Sequence, residues 1–195
     1  MAFIETVSDE AATGAAAELL AAERERVGAV PNYARVFAHR PRVYAAWREL
    51  LAAITENMDP RRYELATIAA ASRLRSTYCM LAHGKVLADR FLEPSVVREV
   101  VADRALAGLD DVELAVMDLA EKVADDATAV IQADVERLRE AGLEDAEIFD
   151  VVLAAAARSF FAKTLDALCV EADASYAELE PSLRDALTAV RPIAS

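Results

Sequence analysis

Nowhere along the 195-residue chain do apolar and polar residues alternate with the period of two that a half-buried strand needs. Apolar residues recur three and four apart instead, between residues that start or stop helices. That pattern commits the chain to an all-α fold. The composition agrees: much of the 55% hydrophobic content is alanine, with five glycines and six prolines.

The start and stop signals segment the chain into roughly eight to ten helices. Residues 1–7 read as an extended arm. Ser8 or Asp9 caps a helix expected to run to about Arg26 and stop at Gly28. Val30-Pro31-Asn32 turns into a short helix through Ala38. Pro41 opens the next, with Val43, Trp47, Leu50, Leu51 and Ile54 on one face. Asp59 and Pro60 supply the cap and first residue of a central helix to about Arg73. A break is expected at Leu74–Ser76, with Ser76 capping a helix from Thr77 to about Arg90. Further helices begin at Glu93-Pro94-Ser95 (fading near Gly108), at Asp110-Asp111 (through Lys122), at Gln132 (to Glu140, ended by Gly142), at Asp145 (through Ala174) and after Pro181.

The chain reads as one domain, 1–195, that admits two pseudo-repeated halves, about 1–105 and 106–195. ELATIAAASR at Glu64–Arg73 resembles FDVVLAAAAR at Phe149–Arg158. On that offset Ser76, Cys79 and His83 match Phe161, Thr164 and Leu168, so a second copy keeps the packing and lacks the chemistry. Alanine-rich periodicity also produces such matches by chance.

A net charge of −13 argues against nucleic-acid partners, because phosphates are repelled. Two cysteines make no disulfide framework, and a reducing, cytoplasmic home is expected. The acidic start MAFIETVSDE has no apolar core for a signal peptide, and charges interrupt every helical stretch before it could span a membrane. Charge is uneven: Arg61–Arg90 holds six basic and two acidic residues, Asp110–Asp150 three basic and fourteen acidic. The acidic stretch reads as a solvated face or an oligomer contact.

The basic stretch holds the reactive side chains. Cys79 and His83 stand four residues apart, on one helix face. With Ser76 as cap, Cys79 falls in the first turn, where free N–H groups and the helix dipole favour a thiolate. His83 can take or give the proton, and Arg73 and Arg75 are candidates for added positive charge. Against this stands Cys79 as a small buried core residue, the usual state of a free cysteine. Glu64 is the only acid between Arg61 and Lys85. Buried among Ala, Leu and Ile it needs a partner: the site, or Arg61, Arg62 or Arg73. His39 reads as a surface or capping residue, Cys169 as buried in the late apolar helix. Trp47, Tyr63, Tyr78 and Phe160–Phe161 are pocket candidates or plain core. Metal-ligand spacing is absent.

The spacing Glu64, eleven residues, Ser76-x-x-Cys79-x-x-x-His83 resembles the alkyl hydroperoxidase D (AhpD) / carboxymuconolactone decarboxylase family, whose redox members carry a cysteine where this chain has Ser76. GAVPN at Gly28–Asn32 and the acidic, Ala-rich helices that follow resemble its peroxidase-related branch, and the likeness covers most of the chain. The resemblance implies an AhpD-like helical bundle, a homo-oligomer, and a site of Cys79, His83, Glu64 and Ser76 with no cofactor or metal. It implies peroxide reduction through Cys79 alone, with His83 as base and acid, Glu64 orienting it, and Ser76 or a water relaying protons. An external thiol, or Cys169, would resolve the sulfenic acid. The alternatives are a decarboxylase-like lyase acting on a small carboxylate through His83 and Glu64, and a catalytically retired oligomeric binding protein.

Overall fold

The structure, a computed structural model, describes residues 2–194. The described residues form ten α-helices, joined by loops and three short 3-10 turns: α1 (Ala15–Val27), α2 (Asn32–Phe37), α3 (Pro41–Thr55), α4 (Pro60–Arg73), α5 (Thr77–Arg90), α6 (Pro94–Ala102), α7 (Asp111–Asp126), α8 (Gln132–Glu140), α9 (Asp145–Ala167) and α10 (Pro181–Leu187). The only β pairing among the described residues is one isolated parallel bridge between Ala172 and Ile193.

Helix α4 is the axis of the bundle. Leu65 to Ala71 are buried on every side, because α5, α7 and α9 all pack against it. Its alanines let those neighbours approach closely, while Leu65 and Ile68 fill the space between. Asp59 caps α4 by accepting the Arg62 N–H at 2.9 Å, and Pro60 occupies the first turn, where no N–H is missed. Helix α7 starts with a capping box in which Asp110 and Glu113 each accept the other's backbone N–H. Helix α3 lies on α9, and α10 closes over α5 and α6.

Four expectations need correction. The first helix begins at Ala15, not at Ser8. Ser8 Oγ does accept the Ala11 N–H at 3.2 Å, but only one turn forms before Gly14 takes φ 53°, and Asp9 turns outward to Arg24 (2.9 Å) and Arg35 (3.1 Å). On α3 the buried stripe is Tyr44, Trp47, Leu51 and Ile54, leaving Val43 and Leu50 about half exposed; both stripes satisfy the same spacing. Helix α7 continues to Asp126, four residues past Lys122. Helix α9 stops at Ala167, where the Val170 N–H closes back on the Leu165 carbonyl. Cys169 therefore lies beyond that helix, in a left-handed conformation (φ 54°) where no glycine announces the stop.

Candidate active site

The α4–α5 link is three residues long. Arg75 adopts φ 57°, its N–H returns to the Ser72 carbonyl, and the Ser76 N–H bonds the Ala71 carbonyl at 3.0 Å. The turn is tight enough for α5 to fold straight back along α4. That reversal sets Glu64 of α4 against His83 of α5, with Oε2 2.6 Å from Nδ1. Both side chains are almost enclosed, at 12% and 13% exposure. The edge of the Tyr63 ring packs on the imidazole.

Burial above all, and then the Arg158 charge, push the His83 pKa below its ordinary 6.5; Glu64 pulls the other way. The imidazole is therefore neutral at pH 7. With carboxylate as its acceptor, Nδ1 carries the proton, and Nε2 is left as the basic nitrogen. Glu64 thus pairs with none of the nearby arginines: Arg61 goes to Glu113, Arg62 to Glu147 and Arg73 to Asp125.

Cys79 and His83 both line a cavity of about 780 Å³ between α3, α5, α9 and the loops before α2 and after α9. The thiol is 1% exposed. No hydrogen bond joins it to the imidazole; its polar neighbour is Arg158 of α9, whose Nη1 lies 3.7 Å from Sγ. Arg158 Nη2 lies 3.4 Å from the Tyr63 hydroxyl, and the guanidinium sits 5.5 Å above the Phe161 ring. The positive charge beside the thiol thus comes from Arg158. Arg73 and Arg75 instead line a separate cavity of about 400 Å³. Arg158 was not among the residues expected from the sequence. The signal for it was a charge inside the apolar run FDVVLAAAARSFF, the same signal that singles out Glu64.

Ser76 stands at the cap position of α5 but makes no capping hydrogen bond. Its buried hydroxyl has no well-formed partner and does not line the cavity. It lies toward Asp166, whose carboxyl burial raises while Ser76 draws it down. No hydrogen bond joins Ser76 to Glu64 or His83, so the hydrogen-bonded relay here is Glu64–His83 alone. Both cysteines are free thiols, and Cys169 does not line the cavity.

The walls are aromatic. Trp47 and Phe161 stack at 5.2 Å and 22°, and Tyr33, Tyr44, Tyr78 and Tyr176 also line the cavity. Phe160, packed on Trp47, and Tyr63, packed on the imidazole, do not line the cavity. The Gly28–Asn32 segment has a structural task here: Asp173 accepts the Asn32 N–H at 2.7 Å and the Tyr78 hydroxyl at 2.5 Å, joining two walls. Burial raises the Asp173 carboxyl, with Tyr78 opposing. A second joint forms where Glu23 accepts from Tyr33 (2.5 Å), Tyr44 (2.7 Å) and Arg26 (2.5 Å). Burial pushes the Glu23 carboxyl up, but these donors prevail and hold it below the usual range. Among the described residues no three His, Cys, Asp or Glu side chains converge as a metal site would need, and no helix is long and apolar enough to cross a membrane.

Residues 41–122, from α3 into α7, match the model of the carboxymuconolactone decarboxylase family. No curated protein sequence matches the chain. Among solved structures, an uncharacterised peroxidase-related protein from Ralstonia eutropha JMP134, described as an alkylhydroperoxidase AhpD core, superposes with a TM-score of 0.81 at 22% identity, covering 90% of this chain and 94% of the other. A peroxidase-related protein from Silicibacter sp. TM1040 gives 0.76 at 20% identity, covering 90% and 91%. The debrominase Bmp8 gives 0.74 at 12% identity, covering 93% and 96%.

Proposed function

We propose, on the premise that the chain is an AhpD-like member of the carboxymuconolactone decarboxylase family, that it is a thiol enzyme that reduces peroxides through Cys79. The observation that carries this reading is that Cys79 and His83 open onto one cavity while Glu64 holds the far nitrogen of the imidazole. In the first step the Cys79 thiol gives its proton to His83 Nε2, directly as substrate closes the gap or through one water. The sulfur attacks the peroxide, an S–O bond forms, and the O–O bond breaks. The leaving alkoxide takes the proton back from His83. The products are a Cys79 sulfenic acid and an alcohol, or water from hydrogen peroxide. A small-molecule thiol then condenses with the sulfenic acid, releasing water, and a second thiol frees Cys79 as a disulfide departs. A reducing cytoplasm supplies such thiols, so neither a metal nor a bound cofactor is called on. Ser76 has no step in this scheme, and its place beside Asp166 gives it a packing role.

The test is peroxide consumption with excess small thiol. Cys79→Ser abolishes it; equal rates in variant and parent would end the proposal. A second reading rests on the Glu64–His83 hydrogen bond, which needs no thiol: acid–base chemistry on a small lactone acid, as in a decarboxylase-like lyase. Activity that survives Cys79→Ala and dies in His83→Ala would select it. A protein inert in both assays would be an oligomeric binding protein.

A further inference from the structure

The cavity wall contains a cation that no carboxylate neutralises. Arg158 is only 5% exposed. Among the described residues it forms no ion pair with a carboxylate: a thiol and a phenol, at 3.7 and 3.4 Å, are its side-chain hydrogen-bond partners, and its Nε has no acceptor. Two other arginines of this wall differ, since Arg26 is held by Glu23 and Arg35 by Asp9. A guanidinium keeps its charge at any ordinary pH, and burying it is costly unless an anion meets it.

We propose that Arg158 is the anchor of an organic-anion site. The cavity takes a small molecule whose planar anionic head, a carboxylate in the simplest case, sits on the Arg158 guanidinium. Its flat, aromatic or unsaturated body lies against Trp47 and Phe161. The head follows from geometry, because the guanidinium fork matches a planar two-oxygen anion. The body follows from the walls and the size: about 780 Å³ is far more than one inorganic ion fills, and Trp47 and Phe161 present stacked rings beside the cation. Arg48 at the same cavity is exposed and has no ion pair among the described residues, so it draws anions inward against the overall −13 charge. This inference concerns what the cavity holds, and a protein inert to peroxide would still show it.

Trp47 is the single tryptophan of the chain and lines the cavity, so its fluorescence reports occupancy. The probes are phenylacetate, its neutral isostere phenylacetamide, and inorganic phosphate, with affinities checked by calorimetry. Phenylacetate is expected to bind saturably, and phenylacetamide about tenfold or more weaker, as loss of a charge-assisted hydrogen bond implies. The preference is expected to shrink in Arg158→Lys and vanish in Arg158→Met, and phosphate is expected not to displace phenylacetate at comparable concentration. Should Arg158→Met fail to fold, Arg158→Lys and the isostere pair on the parent protein still decide. Four results would overturn the proposal: equal binding of the two isosteres, a preference that survives Arg158→Met, displacement by phosphate (an inorganic-anion site), or phenylacetate binding that emerges only in Cys79→Ala, which would make the Cys79 thiolate the partner of Arg158.

Discussion

His83 is the residue on which the proposed chemistry turns, and its environment fixes a pH dependence. In the unfolded chain the imidazole takes up a proton as pH falls through about 6.5. In the folded protein burial, followed by Arg158, resists that uptake. Its contribution to stability is therefore full above pH 6.5 and is lost as pH falls from there toward the depressed folded value. A thermal-melt profile should decline on that acid side, and His83→Gln should flatten the decline; an unchanged profile would remove the burial argument. The same neutral imidazole keeps the general base available at pH 7. His83→Ala should lower peroxide turnover by about 10²–10⁴-fold, the usual worth of a positioned base, with Cys79 still present by mass. Cys79, His83 and Glu64 were legible in the sequence as candidates, because each is a polar side chain at helical spacing in an apolar stretch. Arg158 was not, since no spacing relation ties residue 158 to residue 79. Only the packing of α9 across α5 brings them together.

At the scale of elements, the site depends on how closely α5 is held. Gly84 of α5 is buried under α10, where an added Cβ would stand 2.5 Å from Leu187 Cδ1 and 2.6 Å from Cδ2. Gly84→Ala should destabilise by about 1–3 kcal/mol through overpacking, which exceeds the helix-propensity gain of up to about 1 kcal/mol. Adding Leu187→Ala should bring that penalty toward zero in a double-mutant cycle of urea unfolding. Strict additivity would show that the two residues do not press on each other. The start of α5 is tied as well: Thr77 Oγ1 accepts the backbone N–H groups of Ala189, Val190 and Arg191 at 3.0–3.1 Å. Thr77→Val should cost about 0.5–1.5 kcal/mol, as these part-buried hydrogen bonds are lost, and should speed amide exchange at 189–191 above all. The α4–α5 break was legible from Ser76 as a cap residue, and most other helix starts from prolines and acidic caps. The true start of α1 and the end of α9 were not. A one-turn cap at Ser8 looks the same in sequence as a helix start, and the left-handed stop at Cys169 uses a residue that rarely takes that conformation.

For the whole molecule, helical periodicity gave the all-α class, and the likeness to AhpD-type structures spans nine-tenths of the chain. The two helices of the internal sequence match, α4 and α9, pack on each other and both pack on α7. Their matched arginines have parted: Arg73 is at the surface with Asp125, while Arg158 is in the cavity. Val43, Leu50 and Phe160 leave apolar surface exposed along α3 and α9, with 46%, 50% and 46% of each side open. A homo-oligomer burying that strip is the expected state. Sedimentation velocity should find it, and Leu50→Asp with Phe160→Asp should reduce it to monomer; a monomeric parent protein would refute the expectation. Whether Cys79 is the reacting thiol is tested by its fate under one equivalent of peroxide, read by intact mass with a sulfenic-acid trap. Rapid trapping at Cys79 is expected, reversed by added small thiol and slowed in His83→Ala. A Cys79 that stays a thiol while peroxide persists would contradict that role.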